Sequence, residues 1–442
     1  MECHLVVLVH GLWGTVGHFN YIASQLAEQG AFIHNDLGSS PSPKEVQGMK
    51  GGMPTIVYRA YGNQGYFTYD GVDVCGTRVA GEIIDELDRL NKSGDWKVTK
   101  LSIAGYSLGG LVSRYAIGVL HRQEIPQKYE LHLATFTTFA TPHVGVVVLG
   151  SSLMTRCFNT IGTLSMSATS RQLFLKDKFH NDRPLLEYMT SPRSPFYQGL
   201  TQFDKVSLYA NIAHDARCEW YTASISSSDP FAGMSHLVEG TYVQGYGPTV
   251  LDMTQPIHIA PHHDEPKSTG FFRRVLNFAK VMFRLCVVLP VWFVAFTINA
   301  TYQHLASSIR MRSFRSQGRM NLDMSPVIDE LLEEEANKVV ESMYKVVARP
   351  SRRQERDAPG TEPLDEDDHA HEEAPLLDKK LPLNSAQQSI VSQLNQLPWN
   401  KYGVHITKHH HGHAAIIVRY PAKGFVEGET VVRHWLDNVL TE

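Results

Sequence analysis

Gly105-Tyr106-Ser107-Leu108-Gly109-Gly110 is the stretch best suited to chemistry. It fits Gly-x-Ser-x-Gly, a sharp turn that lifts a nucleophilic serine out between a strand and a helix. Glycines on either side leave room where a Cβ would strike the neighbouring backbone. The helix start then aims N–H groups at a developing oxyanion. Roughly 0.15 chance matches are expected in a chain this long, so context has to decide. The motif follows the strand-like run 98–103 and opens an amphipathic stretch from Leu108 to Leu120, as the chemistry requires. A second oxyanion donor is expected from His10-Gly11-Leu12-Trp13-Gly14, directly after the first apolar run. The two N–H groups assigned are those of Leu12 and Leu108. In folds built on such an elbow the order along the chain is Ser, then Asp or Glu, then His. The acid expected is Asp215, just past the run 206–212; Asp204 is the weaker candidate and Asp264 a remote third. The base is expected from His409-His410-His411-Gly412-His413. His413 is preferred over His411, and His405 is an outside candidate. A metal reading of this tract is disfavoured, because no Cys or carboxylate lies close in sequence to complete a closed site. No metal and no cofactor are expected.

The elements that must hold these groups can be read from periodicity. Residues 5–9 (Leu-Val-Val-Leu-Val) form a buried strand too short for a helix, and 56–59, 98–104, 131–139 and 206–212 read likewise. Residues 72–90 are helical, with Val79, Ile83, Ile84, Leu87 and Leu90 at three- and four-residue spacing. A strand at Ala415–Val418 and a helix at Thr430–Leu440 are expected to close the chain. This alternation predicts an α/β fold, a mostly parallel sheet flanked by helices, with a long insertion before the last strand. The catalytic core is expected over 1–240 and 396–442, interrupted by an insertion at 241–348 and an acidic, Pro-rich, disordered linker at 349–395.

The 442 residues carry a formal charge of −4. Residues 362–373 hold seven carboxylates and no Lys or Arg, so the remainder stands near +3, which does not repel an anionic lipid surface. No basic cluster suggests nucleic acid. Five scattered cysteines without a C-x-x-C pair argue for a reducing compartment, and the opening residues lack signal-peptide features. Residues 285–298 are uncharged. Over 281–300 the apolar side chains favour insertion by roughly 4 kcal/mol, whereas Arg284 opposes it by roughly 3. Basic residues flank both ends: Arg273, Arg274, Lys280 and Arg284 before, Arg310, Arg312, Arg315 and Arg319 after. A Pro-broken hairpin or interfacial segment is expected, against the alternative of a buried core helix or pocket lid.

These motifs, with Thr141-Pro142-His143-Val144-Gly145 and the Asn211–Asp215 strand end, resemble the fungal serine esterase and lipase family. Within it the likeness runs nearest to a lipid-droplet phospholipase of yeast. The resemblance covers roughly 1–240 and 396–442. It implies an α/β-hydrolase fold, a Ser107–Asp215–His413 triad, and deacylation of glycerophospholipids with broad head-group tolerance. The partners expected are a lipid substrate and a membrane or lipid-droplet surface, on the droplet or the cytosolic face of the endoplasmic reticulum. A monoacylglycerol lipase or thioesterase, and an inactive hydrolase-fold scaffold, remain open alternatives.

Overall fold

The apolar runs become the centre of one sheet. In the computed structural model the strands are β1 (Glu2–Val9), β2 (Phe32–His34), β3 (Thr55–Arg59), β4 (Lys97–Tyr106), β5 (His132–Phe139), β6 (Lys205–Asn211), β7 (Val238–Gly240), β8 (Val250–Asp252), β9 (Ile257–Ile259) and β10 (Trp399–Val404). The structure describes residues 1–34, 52–150, 167–180, 182–231, 238–259, 289–317 and 380–440, with isolated positions within 41–49 and 152–163.

Eight strands form a sheet in the order β2-β3-β1-β4-β5-β6-β10-β8, parallel except for β8, while β7 and β9 pair separately. Leu5, Val6, Val7 and Leu8 of β1 are wholly buried, which explains their unbroken apolar run: helices cover both faces. Helix α1 (Asn20–Glu28) lies between β1 and β2 in the chain, α2 (Val72–Lys92) buries Val79, Ile83, Leu87 and Leu90, and α3 (Leu108–Arg122) buries Leu111, Val112, Ile117 and Leu120. Parallel order brings the C-terminal ends of β4, β6 and β10 to one edge, where crevices form in open α/β sheets.

Four expectations need correction. Ala415–Val418 is not a strand. Gly412–Ala415 is a short helix, and Val418 ends the following turn at φ 52°. The run is apolar because it is buried under the helix Val426–Trp435, and a short buried run has no periodicity that separates strand from turn. The last strand is β10, where Asn400 and Lys401 disguise the pattern. The expected helix at Thr430–Leu440 is instead Val426–Trp435, running on into a π turn at Leu436–Leu440.

The core also extends beyond 1–240, since β8 hydrogen-bonds to β10. The described residues from 380 onward begin inside the stretch expected to be a linker. Leu383 is buried there, and helix Ser385–Leu394 starts with a reciprocal Asn384–Gln387 capping box. Residues 321–348 of the insertion, the acidic stretch and Asp264 lie outside the described residues.

Leu289–Gln317 is one continuous helix with Pro290 in its first turn, where its missing N–H costs nothing. The part of the expected hairpin or interfacial segment before Leu289 lies outside the described residues. No described helix is long and apolar enough to cross a membrane.

Three of the buried histidines, His4, His10 and His143, are held neutral by their surroundings. Burial, helped by Lys100 and His132, pushes His4 down to about 3. Burial also lowers His10 to about 4, and it holds His143 well below the usual imidazole range with help from Arg114 and Lys401. A histidine depressed on folding costs nothing above its unfolded pKa. Below that value the unfolded chain takes up the proton and the folded one does not, so stability falls as pH drops from about 6.5. At pH 5 the loss is about 2 kcal/mol each for His4 and His10. The urea midpoint is therefore expected to drop steeply between pH 7 and 5. A midpoint flat over that range would contradict the buried neutral imidazoles.

Candidate active site

Ser107 sits between β4 and α3 at φ 55°, ψ −128°, a strained conformation for a residue with a Cβ. Neighbouring backbone holds it there. The Ser107 N–H donates to the Phe139 carbonyl (2.8 Å) and the Gly110 N–H to the Ser107 carbonyl (3.1 Å). The flanking glycines are steric requirements. A Cβ on Gly105 would lie 2.5 Å from Gly110 Cα, and one on Gly109 would lie 2.1 Å from the Val9 carbonyl oxygen. Backbone faces backbone at both positions, so no side chain can swing aside. Gly109→Ala is expected to destabilise the protein by about 3 kcal/mol. Gly81→Ala, mid-helix with nothing near its Cβ, is expected to gain about 1 kcal/mol. Paired thermal melts check both signs.

His413 follows β10 on the helix Gly412–Ala415. Its Nε2 lies 2.9 Å from Ser107 Oγ and its Nδ1 2.9 Å from Asp215 Oδ2. A carboxylate can only accept, so Nδ1 carries the proton and Nε2 is left to accept from the serine. Asp215 follows β6 and is almost fully buried. Its Oδ2 also accepts from Asn211 Nδ2 (2.8 Å), and its Oδ1 accepts from the N–H groups of Arg217 (3.1 Å) and Cys218 (2.9 Å). Burial alone would raise this carboxyl. His413, Asn211 and the Cys218 N–H outweigh burial and hold it below the usual carboxylate range.

The loops carrying acid and base are joined. The Gly412 N–H donates to the His214 carbonyl (2.9 Å), and His214 Nδ1 meets the Ile406 carbonyl (2.9 Å). Tyr106, beside the nucleophile, donates its hydroxyl to the His413 carbonyl (2.8 Å), with ring centres 5.2 Å apart.

The loop His10–Gly14 lies against the serine, for a Cβ on Gly11 would be 3.3 Å from Ser107 Oγ. Among the described residues the N–H groups of Leu12 and Leu108 donate to no protein acceptor. His10 folds onto its own loop, its Nδ1 3.0 Å from the Gly11 carbonyl.

The structure thus brings Ser107, Asp215 and His413 together and leaves the alternatives elsewhere. Asp204 precedes β6 and pairs with His132 on the surface. His405 meets the Tyr242 hydroxyl at 3.2 Å, and His411 meets Tyr420 at 3.3 Å. The parts played by Tyr106 and by the Arg217 and Cys218 amides were not legible from sequence, since each depends on a contact made only by folding. Among the described residues no group of three or more His, Cys, Asp or Glu is placed to hold a metal ion.

Comparison with known proteins adds the family. The profile described as "Putative serine esterase (DUF676)" matches residues 1–228, just over half of the chain. The chain belongs to this serine esterase family. The match to the serine esterase profile includes the elbow, the His10–Gly14 loop and Asp215, and stops short of His413. Two relatives are "Putative lipase C4A8.10" of Schizosaccharomyces pombe, 26% identical over 261 residues, and "Putative lipase ROG1" of Saccharomyces cerevisiae, 27% identical over 257 residues. Each alignment covers 58% of this chain, but only 31% and 33% of the relatives, so the chain spans about a third of their length. Among solved structures, a Listeria innocua gene product (lin2722) is 16% identical with a TM-score of 0.27, covering 47% of this chain and 70% of that one. Phospholipase PlaB of Legionella pneumophila is 14% identical with a TM-score of 0.26, covering 50% and 41%. The serine esterase chain described here has the α/β-hydrolase architecture: a mostly parallel eight-stranded sheet between helices, with the serine at its centre.

Proposed function

We propose that the protein is a phospholipase that deacylates glycerophospholipids of varied head group at a lipid surface. The observation that carries the reading is the unbroken relay of 2.9 Å contacts from Asp215 through His413 to Ser107. His413 Nε2 takes the Ser107 proton as Oγ attacks the acyl carbonyl. The N–H groups of Leu12 and Leu108 receive the oxyanion. His413 then hands the proton to the departing lysolipid alcohol, leaving an acyl ester on Ser107. Water, activated by the same imidazole, releases the fatty acid and restores the serine. Asp215 keeps Nδ1 protonated throughout and steadies the imidazolium.

A lipid surface is favoured by the helix Leu289–Gln317. Ile298, Tyr302, Leu305 and Ile309 are each at least 60% exposed. At 100° per residue they fall within about 60° of arc. The opposite face is the docked one: Gln303 and Ser307 are buried, Arg310 binds Asp70 bidentately, and His304 reaches Ser167. The helix therefore points its apolar stripe outward and its polar side inward, the reverse of an ordinary surface helix. It rests on Gly65–Asp70, where Thr68 accepts from the Trp13 N–H. The docked side of the helix thus rests on the segment that braces the loop supplying Leu12. The lipid-droplet surface and the cytosolic face of the endoplasmic reticulum are the proposed locations.

The test is fatty-acid release by the full chain from phosphatidylcholine and phosphatidylethanolamine vesicles, against monoolein and palmitoyl-CoA. Phospholipids are expected to be preferred, and Ile298→Glu with Leu305→Glu is expected to reduce vesicle co-flotation. Turnover of monoolein or palmitoyl-CoA with phospholipids untouched would make it a monoacylglycerol lipase or thioesterase instead.

A further inference from the structure

The loop that supplies the Leu12 N–H is held in a strained shape from outside itself. The Gly14 N–H donates to the Gly11 carbonyl (3.0 Å), closing a turn over Gly11–Gly14. Its third residue, Trp13, stands at φ 52°, a left-handed conformation that a bulky side chain resists. Two bonds from Gly65–Asp70 hold it there. The Trp13 N–H donates to Thr68 Oγ1 (3.1 Å), and the Gly65 N–H donates to the Gly14 carbonyl (3.0 Å). Thr68 is buried, and its own hydroxyl proton goes to the Gly65 carbonyl (2.7 Å). A hydroxyl has one proton, so only lone pairs are left for Trp13. The segment is fastened in turn. Thr169 Oγ1 donates to the Thr68 carbonyl (2.6 Å) and accepts from the Gly71 N–H (2.9 Å). Asp70, wholly buried, accepts from Arg78 (2.7 Å) and Arg310 (2.8 Å).

Leu12 thus lies between two fixed neighbours. Gly11 is pressed on the nucleophile, where an added Cβ would be 2.7 Å from Ser107 Cβ. Trp13 is tied to Thr68. With both ends set, the Leu12 N–H keeps one direction. Trp13 released from Thr68 would relieve its strain by turning the Leu12–Trp13 peptide, and that turn would carry Leu12 with it. Strain kept at a reacting centre is a mark of preorganisation, and a donor helps only if it already points at the forming oxyanion. We propose that Thr68 is a positioning residue for the oxyanion hole, acting through the Trp13 backbone on the Leu12 N–H. This rests on the hydrolase reading of Ser107 and not on any head group or acyl chain, so it holds for phospholipid and neutral ester alike.

The experiment uses the full chain with Thr68→Val, which keeps the shape and removes the oxygen, and Thr68→Ser, which keeps the oxygen. Competent sites are counted by complete labelling with a fluorophosphonate, and p-nitrophenyl butyrate turnover is expressed per counted site. Thr68→Val is expected to lower kcat per site about a hundred-fold with KM little changed, because the Leu12 donor matters only once charge forms. Thr68→Ser is expected to stay close to the wild type. Affinity for an alkyl trifluoromethyl ketone, whose adduct with Ser107 carries the same oxyanion, is expected to weaken about as much as kcat. A merely structural residue would instead give fewer competent sites and a lower melting temperature, each remaining site working at the wild-type rate; that result overturns the proposal. So does a raised KM at unchanged kcat, which would place Thr68 in substrate binding, or a loss in Thr68→Ser as deep as in Thr68→Val. If Thr68→Val does not fold, Thr68→Cys decides, since a thiol fills the place but accepts weakly. Its kcat per site is expected to fall well below that of Thr68→Ser, and wild-type turnover would overturn the proposal. A wild type that neither labels nor hydrolyses any ester refutes the hydrolase reading and this inference together, whereas the other outcomes leave that reading intact.

Discussion

Ser107→Ala is expected to lower kcat for ester hydrolysis by about a million-fold, with no loss of fold. The change removes one oxygen from a residue whose backbone is held by Phe139 and Gly110. Alanine keeps the Cβ and so tolerates φ 55° as badly, or as well, as serine does. Ser107→Gly makes a useful partner. It also lacks the hydroxyl, yet it relieves a conformation costing about 1–3 kcal/mol, so an inactive protein with a raised melting temperature is expected. Labelling by a fluorophosphonate should vanish in both, since only an activated serine reacts. Retained turnover or labelling in Ser107→Ala would eliminate this serine as the nucleophile and, with it, the hydrolase reading built on the relay.

Asp215→Asn should cost about ten-thousand-fold in kcat with KM little changed. The loss comes from the tautomer. An amide presenting its NH2 to His413 Nδ1 makes that nitrogen an acceptor and moves the ring proton to Nε2, facing Ser107. The ring then has no lone pair for the serine proton. The Arg217 and Cys218 N–H groups select this orientation, because they need the Asn oxygen at the Oδ1 position. The reverse orientation would keep Asn211 and His413 on the oxygen but set the NH2 against those two N–H groups. Activity within ten-fold of wild type would show that the imidazole is oriented by something other than this carboxylate.

The sequence was most readable where the chemistry is local or the burial complete. The elbow needs its glycines within a few residues, and β1, β4, β5 and β6 each carry a run buried on both faces of the sheet. Asp215 stood out because it directly follows such a strand. Where one side of an element meets solvent or a partner distant in the chain, the pattern weakened. β10 begins half-exposed, with Asn400 at the surface and Lys401 a charge in mid-strand, whereas the buried turn Ala415–Val418 imitates a strand. The helix Leu289–Gln317 misleads differently: its apolar positions suggest an inward face, yet its polar side is the one that docks. The Tyr106–His413 bond spans 307 residues, and no local pattern announces it.

The position of β10 in the sheet also bears on when the enzyme can act. Ribosomes deliver a chain from its amino end, so the attacking serine and its acid emerge early. The strand that slots between β6 and β8, with the imidazole just after it, emerges much later. Until then the growing chain holds a hydroxyl with no proton acceptor at its side, and the sheet has a gap where that strand belongs. A chain released before β10 and His413 had been made would be inert toward esters. Reactivity is thus granted only once that strand is in place.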